Sequence, residues 1–449
     1  LGLAIGPVKA IAILAGLCFL AGVLRSIWVA FAAVVAVACL LPFATVPSGG
    51  AALTPTLLQL ALLVLLGAYA VVLIIDRRQR VLVGPTQLAW LVLLGWLVFA
   101  FLLGLGRGYT PQTLHDFVKF LLALAVFPLT IQLVRTRRTA ELVVAGLMAG
   151  ITAAAAIGLA LYAAGPAFTL NALSRLVPYG YPSGRIVRYI EDDPTRPMRA
   201  VGTGVDPNAF GGLLMVGLVL LVGQLLSRSP FVSRWLGLPA ALLVATALLL
   251  TYSRGAWVGA LAGILVILWL RRRVLLLPLS GLGLTVLLLG LGSGFVQRLW
   301  LGFTLQDPAT KLRLREYGNA WAIIRRHPWF GVGFGDAPSV DLQTGVSSIY
   351  LTIATAAGLV GLVLFLATMG LVLAVAWRSW SRESGNRGEG LMVDVGAVLV
   401  AVLIVGLVDH YFFNIRFVHM AVLLWLLAGL LVALSAFATP AALEKDPRR

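Results

Sequence analysis

Apolar residues recur along this chain as unbroken stretches, without alternation at every second position. The stretches run roughly over 7–24, 26–46, 55–75, 86–106, 115–134, 139–163, 207–226, 235–253, 255–270, 274–292, 349–377, 391–409 and 417–438. Most approach the ~20 apolar residues that carry a helix across a hydrocarbon core of about 30 Å. Strands of a membrane barrel would alternate, so the spanning elements are helices. The pattern predicts an all-α polytopic membrane protein with 12–13 transmembrane helices. The uncertainty in number lies in the first two stretches, which fit two spans or one tight, partly interfacial hairpin. No small-residue cleavage site follows 7–24, which reads as a first span and not as a removed signal.

Composition strengthens this reading. Of the 449 residues 60% are hydrophobic and 11% charged, where a soluble domain carries about 25% charged residues. The mean hydropathy is +1.00. Cys18 and Cys39 both lie inside apolar stretches and have no metal-ligand spacing. The net charge of +17 would point to nucleic acid in a soluble protein. Here it points to topology, because Lys and Arg collect in cytoplasmic loops, and no nucleic-acid partner is expected.

The basic clusters are Arg77, Arg78 and Arg80; Arg135, Arg137 and Arg138; Arg228 and Arg234; Arg271, Arg272 and Arg273; Arg378, Arg382 and Arg387; and the tail with Lys445, Arg448 and Arg449. Each lies two spans from the next, so all fall on one side, the cytoplasmic one. The chain then forms a single membrane domain, 1–449. Its opposite face carries a first periplasmic loop, 164–206, and a large one, 293–348. Both are basic, with Arg175, Arg185, Arg188, Arg196 and Arg199 in the first and Arg298, Lys311, Arg313, Arg315, Arg325 and Arg326 in the second. A solvated surface accounts for about half of these; the excess on the outer face fits an anionic ligand such as a lipid diphosphate.

Arg254 stands out. It interrupts the apolar sequence 235–270, which is too long for one span and suited to two short ones turning at Ser253–Gly255. An arginine within the bilayer costs about 3 kcal/mol or more, so it requires a partner or a function; an interfacial anchor is the alternative. Asp206-Pro207 predicts a helix start, with Asp206 as N-cap and Pro207 in the first turn. That explains Asp206 and Asn208 and leaves Arg199, seven positions before the cap, unexplained. Arg313 and Arg315 precede Trp321-Ala322-Ile323-Ile324-Arg325-Arg326-His327-Pro328, which predicts an amphipathic surface helix. Gly331-Val332-Gly333-Phe334-Gly335 follows, a pattern better explained by a plain turn than by a phosphate cradle. His410 and Asp116, at outer ends of spans, are candidates for acid–base work. Glu191-Asp192-Asp193 reads as solvated ion pairing with neighbouring arginines, and no metal or cofactor is expected.

Four pieces in order resemble the O-antigen ligase / O-antigen polymerase family: Arg199 with Gly202 and Pro207-Asn208; Ser253-Arg254-Gly255-Ala256-Trp257; Trp321 with His327-Pro328-Trp329-Phe330-Gly331-Val332-Gly333; and Ser347-Ser348-Ile349-Tyr350-Leu351 with Gly358-Leu359-Val360-Gly361. The motif-bearing segment is 199–361. The resemblance implies a helical membrane glycosyltransferase (GT-C-like) fold and metal-independent transfer from an undecaprenyl-diphosphate-linked glycan to a glycan or lipid-linked acceptor. It also implies a setting among membrane lipids and, for a polymerase, a chain-length regulator as partner. By the same resemblance Arg199 and Arg254 bind the diphosphate. Arg196, Arg313, Arg315, His327 and Asp116 are the substrate-binding candidates, and His410 joins the two arginines as the catalytic one. Ligases of the family carry a histidine where this chain has Ser347-Ser348, which favours a polymerase or exopolysaccharide transferase over lipid A core ligation. A flippase for lipid-linked sugars and a peptidoglycan-type glycosyltransferase remain the alternatives at this point.

Overall fold

The computed structural model describes residues 7–46, 54–76, 79–104, 109–277, 308–335, 346–382 and 390–437. Fourteen α-helices occur among them: α1 (Pro7–Arg25), α2 (Ile27–Leu40), α3 (Leu57–Ile75), α4 (Pro85–Gly104), α5 (Pro111–Leu124), α6 (Val126–Leu133), α7 (Arg137–Ser174), α8 (Pro207–Leu226), α9 (Arg234–Leu250), α10 (Arg254–Arg271), α11 (Pro308–Arg326), α12 (Ile349–Arg382), α13 (Leu391–Val405) and α14 (Val418–Phe437). Eight are long and apolar enough to cross a membrane, counting α5 and α6 together, and four shorter apolar helices accompany them. The chain is an all-α, multi-pass membrane protein. All but the start of the expected span 274–292 lies outside the described residues, as does much of the 293–348 loop.

Local chemistry sets the helix ends. Asp206 caps α8 by accepting from the N–H groups of Asn208 and Ala209, each at 2.8 Å, with Pro207 in the first turn. Thr110 caps α5 in the same way, so that helix begins at Pro111, earlier than its hydropathy indicated. The apolar stretch 235–270 folds as expected into α9 and α10, joined by a tight turn in which Tyr252 takes a left-handed φ of 52°. The expected span 139–163 ends at a break: Gly165 has φ 84° and precedes Pro166, and the chain then runs on as a short helical segment to Ser174.

A second break has larger consequences. In α12, Gly358 has φ 72° and ψ 179°, which interrupts the helical ladder. Backbone groups freed inside a membrane must find partners in the protein. Here the segment after α11 supplies them. Val332 N–H donates to Thr355 O at 2.8 Å and Gly333 N–H to Ala356 O at 2.9 Å. Leu359 N–H donates to Pro328 O at 2.7 Å, and the Trp96 indole donates to Ala357 O at 2.8 Å. Gly331 N–H returns to His327 O at 3.2 Å, and Phe334 N–H donates to the Tyr109 hydroxyl at 2.9 Å. The glycine-rich turn is therefore a plain structural turn, with the N–H groups of Gly331, Val332, Gly333 and Phe334 spent on protein.

Helix α14 is the centre of the bundle, buried continuously from His419 to Ser435. Helix α8, buried along most of its length, packs against α9, α10 and α13. One ion pair is buried in the apolar interior: Arg271 at the end of α10 and Asp394 at the start of α13 meet at 2.6 Å with neither side chain exposed. Gln224 donates to the second Asp394 oxygen at 2.8 Å, and Arg271 also reaches Gly223 O and Gly390 O. Every charge-bearing group is thus hydrogen-bonded, the condition for tolerating such burial. The pair ties α8, α10 and α13 together at one end.

Candidate functional site

The other end of these three helices carries the candidate site. Met198 and Tyr189 pair in an isolated antiparallel bridge, and Arg199 N–H donates to Arg188 O at 2.8 Å, so a hairpin delivers Arg199 to the bundle. Its guanidinium is fixed from two sides: Nε donates to Thr251 O at 2.7 Å and Nη2 to Asn208 Oδ1 at 2.6 Å. Thr251 lies three positions before Arg254, the first residue of α10. Asn208 belongs to the first turn of α8. The two arginines picked out in the sequence therefore converge where the N-termini of α8 and α10 meet. Both helix ends contribute partial positive charge.

Glycines allow the elements to close here. A Cβ at Gly211 would meet Ser253 Cβ at 2.9 Å, and one at Gly212 would strike the Tyr411 ring. A Cβ at Gly255 would approach the Val408 side chain at 3.2 Å, which places the start of α10 beside the Val408–Asp409 turn. Asp409 is buried at that turn, and Arg313 of α11 approaches its carboxylate at 3.7 Å. Arg188 lies 4.0 Å from Asp206. Arg188 and Arg313 thus approach the Asp206 and Asp409 carboxylates at the mouth formed by α8, α10 and the end of α13, where Arg199 and Arg254 also lie.

Helix α11 orients itself by the same contacts. Tyr317 donates its hydroxyl to Ser347 O at 3.0 Å and Leu407 O at 3.2 Å. Arg313, Glu316, Tyr317 and Ala320 share the inward face by their helical spacing, with Ala320, Ile323 and Ile324 buried. Arg315 falls on the outward face and is exposed. Where the family resemblance expects histidine the chain has Ser347-Ser348: the Ser347 N–H and hydroxyl both donate to Glu316 Oε2, at 3.0 and 2.6 Å, and the Ser348 hydroxyl donates to Gly406 O at 3.1 Å.

Beyond Asp409 the chain turns through His410 into a cavity of about 640 Å³. Asp116, Thr113, Thr352, Asn414 and Arg416 line it together with His410. Asn414 Oδ1 accepts from Arg416 N–H at 2.8 Å, so its Nδ2 faces His410 Nδ1 at 3.0 Å and donates to it. A neutral His410 then carries its proton on Nε2. Asp116 accepts from Gln112 at 2.9 Å and pairs with Lys119. Asp409 and His410 are adjacent residues on the wall between two compartments, one basic and one of mixed polarity.

Other candidates lie apart. Arg196 is about half exposed and pairs with Glu191 at 2.7 Å and Asp193 at 3.4 Å. Asp192 lies near Arg185 and Arg188, and hydrogen bonds from Thr195 hold the Asp193 carboxyl below its ordinary range. The acidic triplet is engaged by arginines, as its setting predicted. His327 is exposed at the end of α11 and lines a separate cavity of about 350 Å³. Among the described residues, no three His, Cys, Asp or Glu side chains converge as a metal site would require. Sequence reasoning did not single out Asp409 or Glu316, and it counted Arg188 only among the basic residues of the first long loop. The only hint was that Asp409 interrupts an apolar run, whereas the pairings of the other two depend on the tertiary fold.

Residues 239–366 match the family model described as O-antigen ligase, a stretch that includes Arg254, Arg313, Glu316, Ser347 and Gly358. Among solved structures, a chain from a peptidoglycan synthase complex that coordinates polymerization and crosslinking aligns at 17% identity, covering 75% of this chain and 96% of that one, with a TM-score of 0.37. No curated protein matches. The match over residues 239–366 supports the O-antigen ligase/polymerase family of membrane glycosyl-transferring enzymes for that part of the chain.

Proposed function

We propose that this enzyme moves a glycan from a polyprenyl diphosphate to an acceptor hydroxyl at the outer face of the inner membrane, without a metal ion. The observation that carries the reading is the fastening of the Arg199 guanidinium to Thr251 and Asn208, three positions from Arg254. A guanidinium held in place presents a planar fork suited to phosphate oxygens. Helix N-termini on both sides add to the attraction for an anion.

In this mechanism the acceptor oxygen attacks the anomeric carbon of the donor glycan. The bond from that carbon to the diphosphate oxygen breaks, and the electron pair leaves on the diphosphate. Arg199 and Arg254 stabilise the growing charge, and Arg313, held by Asp409, completes the basic wall. The acceptor lies in the cavity beyond the turn, where His410 Nε2–H orients it and Asp116 takes the proton from its hydroxyl. A donor held by preorganised charges of this kind gains about 3 kcal/mol per hydrogen-bond donor in the transition state. With Ser347 tied to Glu316 in place of the ligase histidine, the acceptor is a second lipid-linked glycan chain. A chain-length regulator is the partner such a polymerase would have.

The test is transfer by purified protein from a polyprenyl-diphosphate oligosaccharide, with EDTA present and with lipid A core offered as a competing acceptor. Longer lipid-linked glycan and free polyprenyl diphosphate are expected, unaffected by the chelator. Movement of the intact lipid-linked glycan across vesicles without bond breakage would make the protein a flippase. Restoration by magnesium of an EDTA-sensitive activity would overturn the metal-free mechanism.

A further inference from the structure

The end of the bundle opposite the arginine cluster holds a second cavity, of about 400 Å³. It opens between the start of α4, the end of α6, and the ends of α12 and α14. Three arginines line it: Arg135, Arg378 and Arg382. Ile131, Val375 and Val432 form an apolar wall below them. The cavity is therefore basic at its mouth and apolar towards the membrane interior.

The arginines are arranged for a ligand. Arg135 is braced by the protein: its Nε donates to Gln132 O at 2.7 Å, and its Nη2 to Gln132 Oε1 at 2.9 Å and Arg80 O at 3.1 Å. Its Nη1 is not spent in this bracing. Gln132 is itself fixed by Leu82, accepting from its N–H at 3.0 Å and donating to its carbonyl at 2.7 Å. Arg378 and Arg382 lie one turn apart on α12 and are exposed. None of the three makes an ion pair with an acid among the described residues. The first turn of α4, beginning at Pro85, also lines the cavity and presents the positive end of a 20-residue helix.

We propose that this cavity binds an anionic diacyl phospholipid. The phosphodiester sits among Arg135, Arg378 and Arg382, and an acyl chain lies along Ile131, Val375 and Val432. A soluble anion would leave the apolar wall unused, and a zwitterionic lipid would set its own cation against the arginines. The site differs from the outer arginine cluster in position and in elements, and it does not depend on the reaction proposed there.

The experiment uses the full-length protein in nanodiscs of phosphatidylcholine doped with phosphatidylglycerol, with retained lipid counted by native mass spectrometry after gentle release. Wild-type protein is expected to retain one phosphatidylglycerol in preference to phosphatidylcholine. In R378Q/R382Q the apparent affinity should fall about twenty-five-fold, since each basic group near an anionic headgroup contributes about a factor of five. R378K/R382K, which keeps both charges on the same face of the helix, should hold most of the binding. R185Q, in the exposed acidic–basic hairpin, should leave it unchanged. Equal retention by wild type and R378Q/R382Q overturns the proposal. So does displacement of the lipid by millimolar inorganic phosphate, which would mean that the apolar wall contributes nothing.

Discussion

Arg199 donates through Nε to the carbonyl oxygen of Thr251 at 2.7 Å, fastening the hairpin that pairs Tyr189 with Met198 to the turn that begins α10. The bond makes the positions of Arg199 and Arg254 interdependent. Arg254→Lys is therefore expected to lose nearly as much glycan transfer as Arg254→Ala, about a hundredfold or more, because lysine keeps the charge and loses the fork. Arg199→Ala should do the same at normal membrane levels, while Arg185→Ala, on an exposed side chain, should do little. Polymer yield and length in a strain lacking the native protein provide the measurement. A fully active Arg254→Lys would return that residue to the role of an interfacial anchor.

The buried Arg271–Asp394 pair predicts an asymmetry between single and double substitutions. Asp394→Leu leaves a guanidinium uncompensated inside the bundle and should cost about 3–5 kcal/mol. The Arg271→Leu/Asp394→Leu double variant removes both charges and should recover much of that loss. Thermal unfolding in detergent, followed by tryptophan fluorescence, reads the difference. If the single and double variants melt together, the pair does not clamp the three helices.

Two glycines of α12 should respond oppositely to alanine. Gly358 has φ 72°, and a Cβ there would strike the Trp329 carbonyl. The strain alone amounts to about 1–3 kcal/mol, and the loop must also move. Gly370 is helical and a Cβ there meets nothing within 4 Å, so Gly370→Ala should be neutral or stabilising by up to about 1 kcal/mol. Melting temperatures of the two variants settle the comparison, and an unaffected Gly358→Ala would mean that the break is not held by its partner segment.

Orientation is testable with single cysteines in a background where Cys18 and Cys39 are replaced by serine. A membrane-impermeant maleimide applied to intact cells is expected to label a cysteine at Thr195 and to spare one at Ser381. The reverse pattern would put the arginine cluster on the cytoplasmic side and end the proposed reaction with a periplasmic donor.

Much of this architecture could be read from the sequence because hydropathy is a local property. The division of 235–270 into α9 and α10 required only its length and the polar turn at Ser253–Gly255. Arg254 and Arg199 were conspicuous for the same reason, each polar where its surroundings gave no local use for it. Asp394 gave no such signal, since its partner Arg271 is 123 positions away and looked like one of three loop arginines. Glu316 was equally silent, because its hydrogen bonds to Ser347 exist only once α11 lies across the start of α12. Arg315 seemed equivalent to Arg313 in sequence; the turn of the helix separates them, sending one to Asp409 and the other to solvent.

The break in α12 bears on the order in which the molecule assembles. The groups that complete its hydrogen bonding, Pro328, Val332 and Gly333, precede it in the chain. A ribosome therefore delivers the plug before the helix that needs it. Until the two meet, the first turns of α12 carry open carbonyls that a lipid environment penalises, so this helix gains full membrane stability only after the preceding loop has docked. Chains cut or lengthened between 335 and 346 would put that meeting at risk while leaving every span intact.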